Sequence, residues 1–136
     1  MRTVTAYIRR SPEACWRVIV DPVLLTHWVP GLRRAVVISL GPFNLPAEIH
    51  FEFSTSLAYT LVYTYDLAAR SMRFEPRLGK RDGVRGYVRI DPFDEGARIE
   101  YGLEVGEARS PADVELGDVD ALVAAFVKWM HAEPAS

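Results

Sequence analysis

The C-terminal part of this sequence carries a broad apolar stripe at helical spacing, and that stripe constrains what the whole chain can fold into. Asp118 is a suitable N-cap, and Asp120 favours the positive end of a helix. A helix with such a face must be covered by another layer, and the preceding segments offer a sheet. The large apolar side chains are Val119, Leu122, Val123, Phe126, Val127 and Met130. The residues predicted on the opposite face are Ala121, Ala124, Ala125 and Lys128.

Seven segments before this helix have strand patterns. Residues 3–9 alternate Val4, Ala6 and Ile8 with more polar neighbours, which is typical of a strand with one buried face. Consecutive strands with short connections pair antiparallel, because parallel pairing needs a longer crossover. The other six predicted strands are residues 35–40, 48–55, 59–66, 72–74, 84–91 and 98–105.

Two short helices are predicted between the first and second strands. Ser11-Pro12-Glu13 is a strong helix start, because serine caps, proline suits the first helical position and glutamate favours the positive end. Asp21-Pro22 repeats this signal, and Pro30-Gly31 ends the second helix. The predicted fold is therefore one α+β domain over residues 1–136. In it, a curved antiparallel sheet of about seven strands wraps around the long C-terminal helix.

A sheet that curls around one helix encloses a space, and large aromatic side chains from several strands are predicted to point toward it. Such rigid shapes are hard to pack completely, so we expect a cavity that holds an apolar small molecule. A fully packed core is the alternative interpretation. The predicted ligand-binding residues are Trp28, Phe51, Phe53, Tyr63, Tyr65, Phe74, Tyr101, Phe126 and Met130.

Tyrosine side chains add hydrogen-bonding groups to this expectation. A phenol hydroxyl inside an apolar pocket can orient a carbonyl or phenol of a ligand. For any single tyrosine, packing in the core is the simpler interpretation, and the set as a whole makes a ligand pocket more credible. The candidate tyrosines are Tyr59, Tyr63, Tyr65, Tyr87 and Tyr101.

Several short motifs occur at positions that also suggest a known fold. They are Pro12-Glu13, Trp16, Asp21-Pro22, Trp28-Val29-Pro30-Gly31, Gly86-Tyr87 and the Pro-x-x-x-Gly at 92–96. In these motifs and in its predicted layout, nearly the whole chain resembles the START-like or SRPBCC superfamily, also called the helix-grip fold. The motifs shape turns and helix caps, so they are specific to the fold and not to a function.

The resemblance implies a hydrophobic tunnel between the curved sheet and the long helix. Members of the superfamily bind lipids, sterols, polyketides, plant hormones or quinones; some are aromatase/cyclases, and others regulate chaperones. The bacterial subgroup labelled polyketide cyclase/dehydrase and lipid transport is the most similar. In this chain the polar residues 106–117 would form either a lid over the tunnel or a simple connector.

Histidine and cysteine residues give little support to a metal site or a cofactor, and neither is expected. His27, His50 and His131 share no metal-ligand spacing, and Cys15 is the single cysteine. His50 lies between Glu48 and Glu52, a group capable of acid–base chemistry, but the strand alternation places it on the solvent face. Cys15 has no basic neighbour in sequence to lower its pKa, so we interpret it as a buried structural thiol.

Charge and composition limit the partners and the compartment. The net charge is −2, and the basic residues between 73 and 89 are interpreted as a solvated sheet face, not as a nucleic-acid site. A single cysteine fits a reducing compartment, and the sequence has no signal peptide and no apolar run of ~18 residues. We therefore expect a cytoplasmic protein with no integral membrane segment.

These observations favour the binding or carriage of an apolar small molecule, such as a lipid, a quinone or a polyketide-like compound. An aromatic interior without a catalytic constellation is the reason for this preference. Two alternatives remain open. One is an enzyme of the polyketide cyclase or aromatase kind, which needs a titratable group in the pocket. The other is a protein-interaction module of the chaperone-regulator kind, with the arginine-rich region 73–89 as its contact surface.

Overall fold

A computed structural model describes residues 2–54, 58–77, 84–105 and 118–132 of the chain. The helices are α1 (Pro12–Ile19), α2 (Pro22–Trp28) and α3 (Val119–Ala132), with a 3-10 turn at Pro42–Asn44. The strands are β1 (Arg2–Ile8), β2 (Leu32–Leu40), β3 (Pro46–Phe53), β4 (Ala58–Asp66), β5 (Ser71–Pro76), β6 (Val84–Phe93) and β7 (Gly96–Val105). None of the helices in these ranges is long and apolar enough to cross a membrane.

All seven strands form one curved sheet in the order β1-β7-β6-β5-β4-β3-β2. Every neighbouring pair is antiparallel, as the short connections predict. β1 and β2 are the two edges, because the two short helices carry the chain from one edge to the other. The predicted α+β helix-grip architecture is confirmed, with some strands longer than their sequence patterns indicate.

The two short helices begin at the predicted caps. The Ser11 hydroxyl accepts a hydrogen bond from the Ala14 N–H at 3.1 Å, and the Asp21 carboxylate accepts one from the Val23 N–H at 2.9 Å. Each cap satisfies an N–H that the first helical turn leaves without a partner. After α2 the chain turns at Gly31, whose φ of +73° is readily adopted only by glycine. These signals place the end of α2 beside the start of β2.

β6 and β7 approach closely at two glycines. A Cβ on Gly86 would lie 2.0 Å from the carbonyl oxygen of Gly102 and 3.0 Å from the Phe74 ring. A Cβ on Gly102 would lie 2.3 Å from the Tyr87 ring. Because no side chain fits at either position, glycine is required in both strands, and such positions often mark a sharp bend in a sheet.

The direction of α3 decides which part of this helix faces which part of the sheet. At the start of the helix, Asp120 forms an ion pair with Arg2, the first residue of β1. Near its end, the His131 Nε2 accepts a hydrogen bond from the Arg9 N–H at 3.1 Å. α3 therefore runs parallel to β1. Val119, Val123, Phe126 and Met130 are its buried residues, whereas Leu122 and Val127 of the predicted stripe are half-buried.

Candidate ligand-binding cavity

A cavity of about 110 Å³ lies between the concave face of the sheet and the three helices. An engineered apolar cavity of ~150 Å³ in another protein stays dry and holds a benzene molecule, so the enclosed part of this space takes about one aromatic ring, and a larger ligand would extend through its opening. Among the described residues, those that line it are Ile19, Val20, Leu25, Trp28, Val29, Pro30, Ile49, Phe51, Phe53, Tyr59, Leu61, Tyr63, Tyr65, Met72, Phe74, Val84, Tyr101, Leu103, Asp118, Ala121 and Leu122.

The sheet wall comes from alternate residues of neighbouring strands. Ile49, Phe51 and Phe53 on β3 are buried and face the cavity, and Tyr59 and Leu61 begin the matching row on β4. Because side chains alternate along a strand, every second residue of each strand contributes to the same wall. Aromatic rings dominate this wall, which makes it apolar and rigid.

The intervening residues of β3 point away from the cavity. The His50 Nδ1 lies 2.9 Å from the Thr60 hydroxyl, and the Arg77 Nε lies 3.4 Å from a Glu48 carboxylate oxygen. The Glu52 carboxylate likewise lies 3.4 Å from the Arg34 guanidinium. The predicted placement of His50 and its two carboxylate neighbours on the outer face is confirmed, so this group cannot act on a molecule inside the cavity.

The opening of the cavity is marked by the lining residues that are also exposed. These are Pro30, which follows α2, and Asp118 and Ala121 at the start of α3. The Asp118 carboxylate accepts a hydrogen bond from the Ala121 N–H at 3.1 Å, which is the predicted N-cap. The possible lid, residues 106–117, lies outside the described residues.

The structure brings most of the predicted ligand-binding residues together, but not all of them. Phe126 and Met130 are 1% and 0% exposed and lie in the core, not along the cavity. The Phe126 ring packs edge-on against Trp28, with the ring centroids 5.0 Å apart. The helical stripe predicts which residues are buried, but not which end of the helix faces an empty space. The predicted residues that do line the cavity are Trp28, Phe51, Phe53, Tyr63, Tyr65, Phe74 and Tyr101.

Sequence reasoning missed other lining residues for identifiable reasons. Ile49, Leu61 and Leu103 share the inward parity of residues that were predicted, so the same alternation would have found them. Ala121 was expected on the face opposite the buried stripe, and the structure places it at the edge of the cavity while it remains exposed. A small exposed residue of this kind carries no sequence signal for a binding site.

Four tyrosine side chains face the cavity, and their hydroxyls differ in hydrogen bonding. The Tyr65 hydroxyl donates to the Pro46 carbonyl oxygen at 2.7 Å. Within the described part of the chain, the hydroxyls of Tyr59, Tyr63 and Tyr101 have no hydrogen-bond partner. Burial raises the pKa of all four phenols well above the usual value, so they stay protonated at neutral pH.

Tyr87 was proposed as a fifth pocket tyrosine, and that expectation was wrong. It follows Gly86 on β6, and the inward positions of this strand are Val84, Gly86 and Val88. Its ring therefore lies on the outer face, where its hydroxyl donates to a Glu100 carboxylate oxygen at 2.7 Å. Arg85 and Arg89 share the face of Tyr87, so the alternation of this strand already indicates the outer position.

Cys15 and His27 are not among the residues that line the cavity. Cys15 is 0% exposed, and burial raises the pKa of its thiol to about 11, as expected for a structural cysteine. His27 is exposed, and its ring centroid lies 5.8 Å from that of Trp129. Within residues 2–54, 58–77, 84–105 and 118–132, no cluster of three or more His, Cys, Asp or Glu is placed to hold a metal ion.

The arginine-rich region occupies the outer face of the sheet, as the pattern predicts. Arg73, Arg77 and Arg89 are exposed, and Arg89 lies 3.2 Å from an Asp91 carboxylate oxygen. Lys80 and Arg81 of the same stretch lie outside the described residues. Exposed ion pairs of this kind are ordinary features of a solvated surface.

Solved structures with the same architecture cover nearly the whole chain. A Thermus thermophilus protein superposes with a TM-score of 0.80 at 15% identity, over 98% of each chain. A START superfamily protein from Mycobacterium smegmatis superposes with a TM-score of 0.76 at 13% identity, over 96% of each chain. The ZhuI aromatase/cyclase from Streptomyces sp. R1128 superposes with a TM-score of 0.71 at 13% identity, over 96% of this chain and 93% of its own. No protein-family model matches the chain, and no curated protein matches it in sequence.

The superpositions agree with the architecture derived from the strands and helices. Identities of 13–15% show a shared fold and do not transfer a ligand or a reaction. The motifs that suggested this fold shape the caps of α1 and α2, the turn after α2 and the close approach of β6 to β7 at Gly86. The chain therefore has the START-like, or SRPBCC, helix-grip fold.

Proposed function

We propose that the protein binds and carries an apolar small molecule in the cavity between its sheet and its helices. The observation that carries this proposal is a partly open cavity whose described lining is almost entirely apolar and aromatic. Ligand-binding sites in proteins are typically concave and mostly apolar, with a few polar groups that orient the ligand. Lipids, quinones and polyketide-like compounds all have the apolar surface that such a site buries.

The aromatic walls support a cavity that persists without a ligand. Phe53 and Tyr59 stack with their ring centroids 5.6 Å apart, and Tyr63 and Tyr65 stack at 6.2 Å. These rings stack on neighbours of the same wall, and Tyr65 also packs edge-on against Trp16 of α1, with the ring centroids 6.3 Å apart. Because aromatic side chains are rigid, they cannot easily rotate to fill the space, so the site needs little rearrangement to accept a ligand.

The chemistry of the lining favours binding over a cyclase-type reaction. Among the described lining residues, Asp118 is the charged one, and its carboxylate already caps α3 at the opening. The cavity phenols stay protonated at neutral pH, so they can donate hydrogen bonds but cannot serve as general bases. A ligand in this part of the cavity meets phenols that can position it, and the one carboxylate among the described lining residues lies at the opening.

We expect a neutral apolar ligand to raise the thermal stability of the protein. A ligand that binds only the folded state, at about 100 times its Kd, adds about 2.7 kcal/mol to the free energy of unfolding. For a domain of this size that corresponds to a Tm increase of roughly 5–10 °C. The measurement is thermal unfolding in the presence of neutral compounds with one to three rings, beginning with 1-N-phenylnaphthylamine. An unchanged Tm across the whole panel would contradict the proposal.

A further inference from the structure

Three phenol side chains face the same apolar cavity. Tyr59 and Tyr63 lie two pleats apart on the inward face of β4, and Tyr101 lies on the inward face of β7. None of the three has a hydrogen-bond partner within the described part of the chain. Tyr63 and Tyr101 both pack against the ring of Phe74, with ring centroids 5.9 and 6.1 Å from it, so the two side chains lie in the same part of the cavity.

The hydroxyls of Tyr59, Tyr63 and Tyr101 face the cavity and are not among the described polar atoms that are sealed in the core without a partner. Polar groups that face an apolar pocket in this way can orient a ligand by hydrogen bonding. Tyr65, on the same wall, differs from them, because its hydroxyl donates to the Pro46 carbonyl oxygen at 2.7 Å. The three unpartnered hydroxyls therefore remain available as donors to an oxygen atom of a ligand.

The same surroundings disfavour a negatively charged ligand group. The described lining residues include no Lys, Arg or His, and the carboxylate of Asp118 lies at the opening. Burial raises the pKa of the cavity phenols, which shows that this environment opposes negative charge. A fatty-acid carboxylate inside the cavity would lose its hydration without gaining a cation.

We propose that the cavity selects neutral ligands with a carbonyl oxygen, of the aryl-ketone or quinone class, through hydrogen bonds from Tyr59, Tyr63 or Tyr101. This inference rests on the proposed function, because it names the ligand class of the same site. The proposed selectivity distinguishes carbonyl compounds from two other classes of ligand that any apolar cavity could bind, namely plain hydrocarbons and fatty acids. Contact with the aromatic walls provides most of the affinity for a ligand, and hydrogen bonds from the hydroxyls provide the specificity for one class of apolar molecule.

The test compares three probes of nearly the same shape. They are 2-acetonaphthone, which has a carbonyl group, 2-isopropenylnaphthalene, in which a CH₂ replaces the carbonyl oxygen, and 2-naphthoate, which is an anion at pH 7. We expect 2-acetonaphthone to bind on the order of 10-fold more tightly than the alkene, the effect of about one hydrogen bond with a neutral donor. 2-Naphthoate should bind most weakly. Isothermal titration calorimetry measures all three Kd values.

Phenylalanine variants identify the donors. In a variant that combines Tyr59→Phe, Tyr63→Phe and Tyr101→Phe, the ketone should lose its advantage while the alkene keeps its affinity. Tyr7→Phe is the matched control, because Tyr7 is exposed and outside the cavity, and it should retain the 10-fold preference. A preference that survives in the triple variant would overturn the inference.

The wild-type protein alone also decides the question, so the test does not depend on whether the triple variant folds. Equal affinity for the ketone and the alkene would overturn the inference and leave the proposed function standing. Tightest binding of 2-naphthoate would likewise overturn the inference. If none of the three probes binds, the inference and the proposed function fail together.

Discussion

Replacing Phe126 by alanine is expected to lower the free energy of unfolding by about 3–5 kcal/mol, the range for removal of a buried aromatic ring from a packed core. Phe126 is 1% exposed, and its ring packs in the core against Trp28 of α2, with the ring centroids 5.0 Å apart. The loss combines the missing apolar burial with the space left behind, because the surrounding rings cannot close over it completely. Urea unfolding monitored by circular dichroism measures the change.

A surface substitution on the same helix provides the control for this experiment. Lys128 is exposed two residues further along α3, so Lys128→Ala should change the free energy of unfolding by no more than about 0.5 kcal/mol. A loss below about 1 kcal/mol for Phe126→Ala would mean that this side chain faces an open space. That result would place Phe126 on the cavity wall and contradict its position in the core.

Placing tryptophan at position 121 is expected to abolish ligand binding without unfolding the protein. Ala121 is exposed and lies at the opening of the cavity, so an indole there fits on the helix surface and covers the entrance. We expect the Kd for 1-N-phenylnaphthylamine to rise by at least about 100-fold, or about 2.7 kcal/mol. Fluorescence titration measures the Kd, and the helical content should remain that of the wild type.

Ala124 offers a matched position for the same change. It is exposed on α3 and does not line the cavity, so Ala124→Trp adds the same side chain without covering the opening. This variant should keep the wild-type Kd within about twofold. If both tryptophan variants bind the probe as well as the wild-type protein does, the ligand does not enter beside α3, and the assigned opening is wrong.

Local signals in the sequence were sufficient to predict the architecture. Alternation identified the strands, and the connections between consecutive strands from β2 to β7 made them antiparallel, because each of these is too short for a parallel crossover. Ser11 and Asp21 predicted the starts of α1 and α2, since a side-chain cap has a specific chemical requirement. Strand ends were less predictable. β2 begins at Leu32 and not at residue 35, because pairing with β3 extends it past its apolar stretch.

The cavity was predictable in its chemistry but not in its position. The alternation of apolar and polar residues correctly placed Phe51 and Tyr63 on the inner wall, because successive side chains of a strand point to opposite faces of the sheet. No sequence pattern states how far along α3 the core stops and the cavity begins. This boundary depends on how the helix packs across the sheet. It lies between Leu122, which lines the cavity, and Phe126, which is buried in the core.

The central claim, that an apolar molecule binds between the sheet and the helices, is tested most directly by nuclear magnetic resonance. Intermolecular nuclear Overhauser effects between 1-N-phenylnaphthylamine and the methyl groups of the protein locate the probe. The predicted result is contacts with Leu61, Met72 and Leu122, which line the cavity, and none with Met130, which is buried in the core. Contacts confined to exposed apolar residues such as Leu40, with none to the cavity methyl groups, would contradict the account.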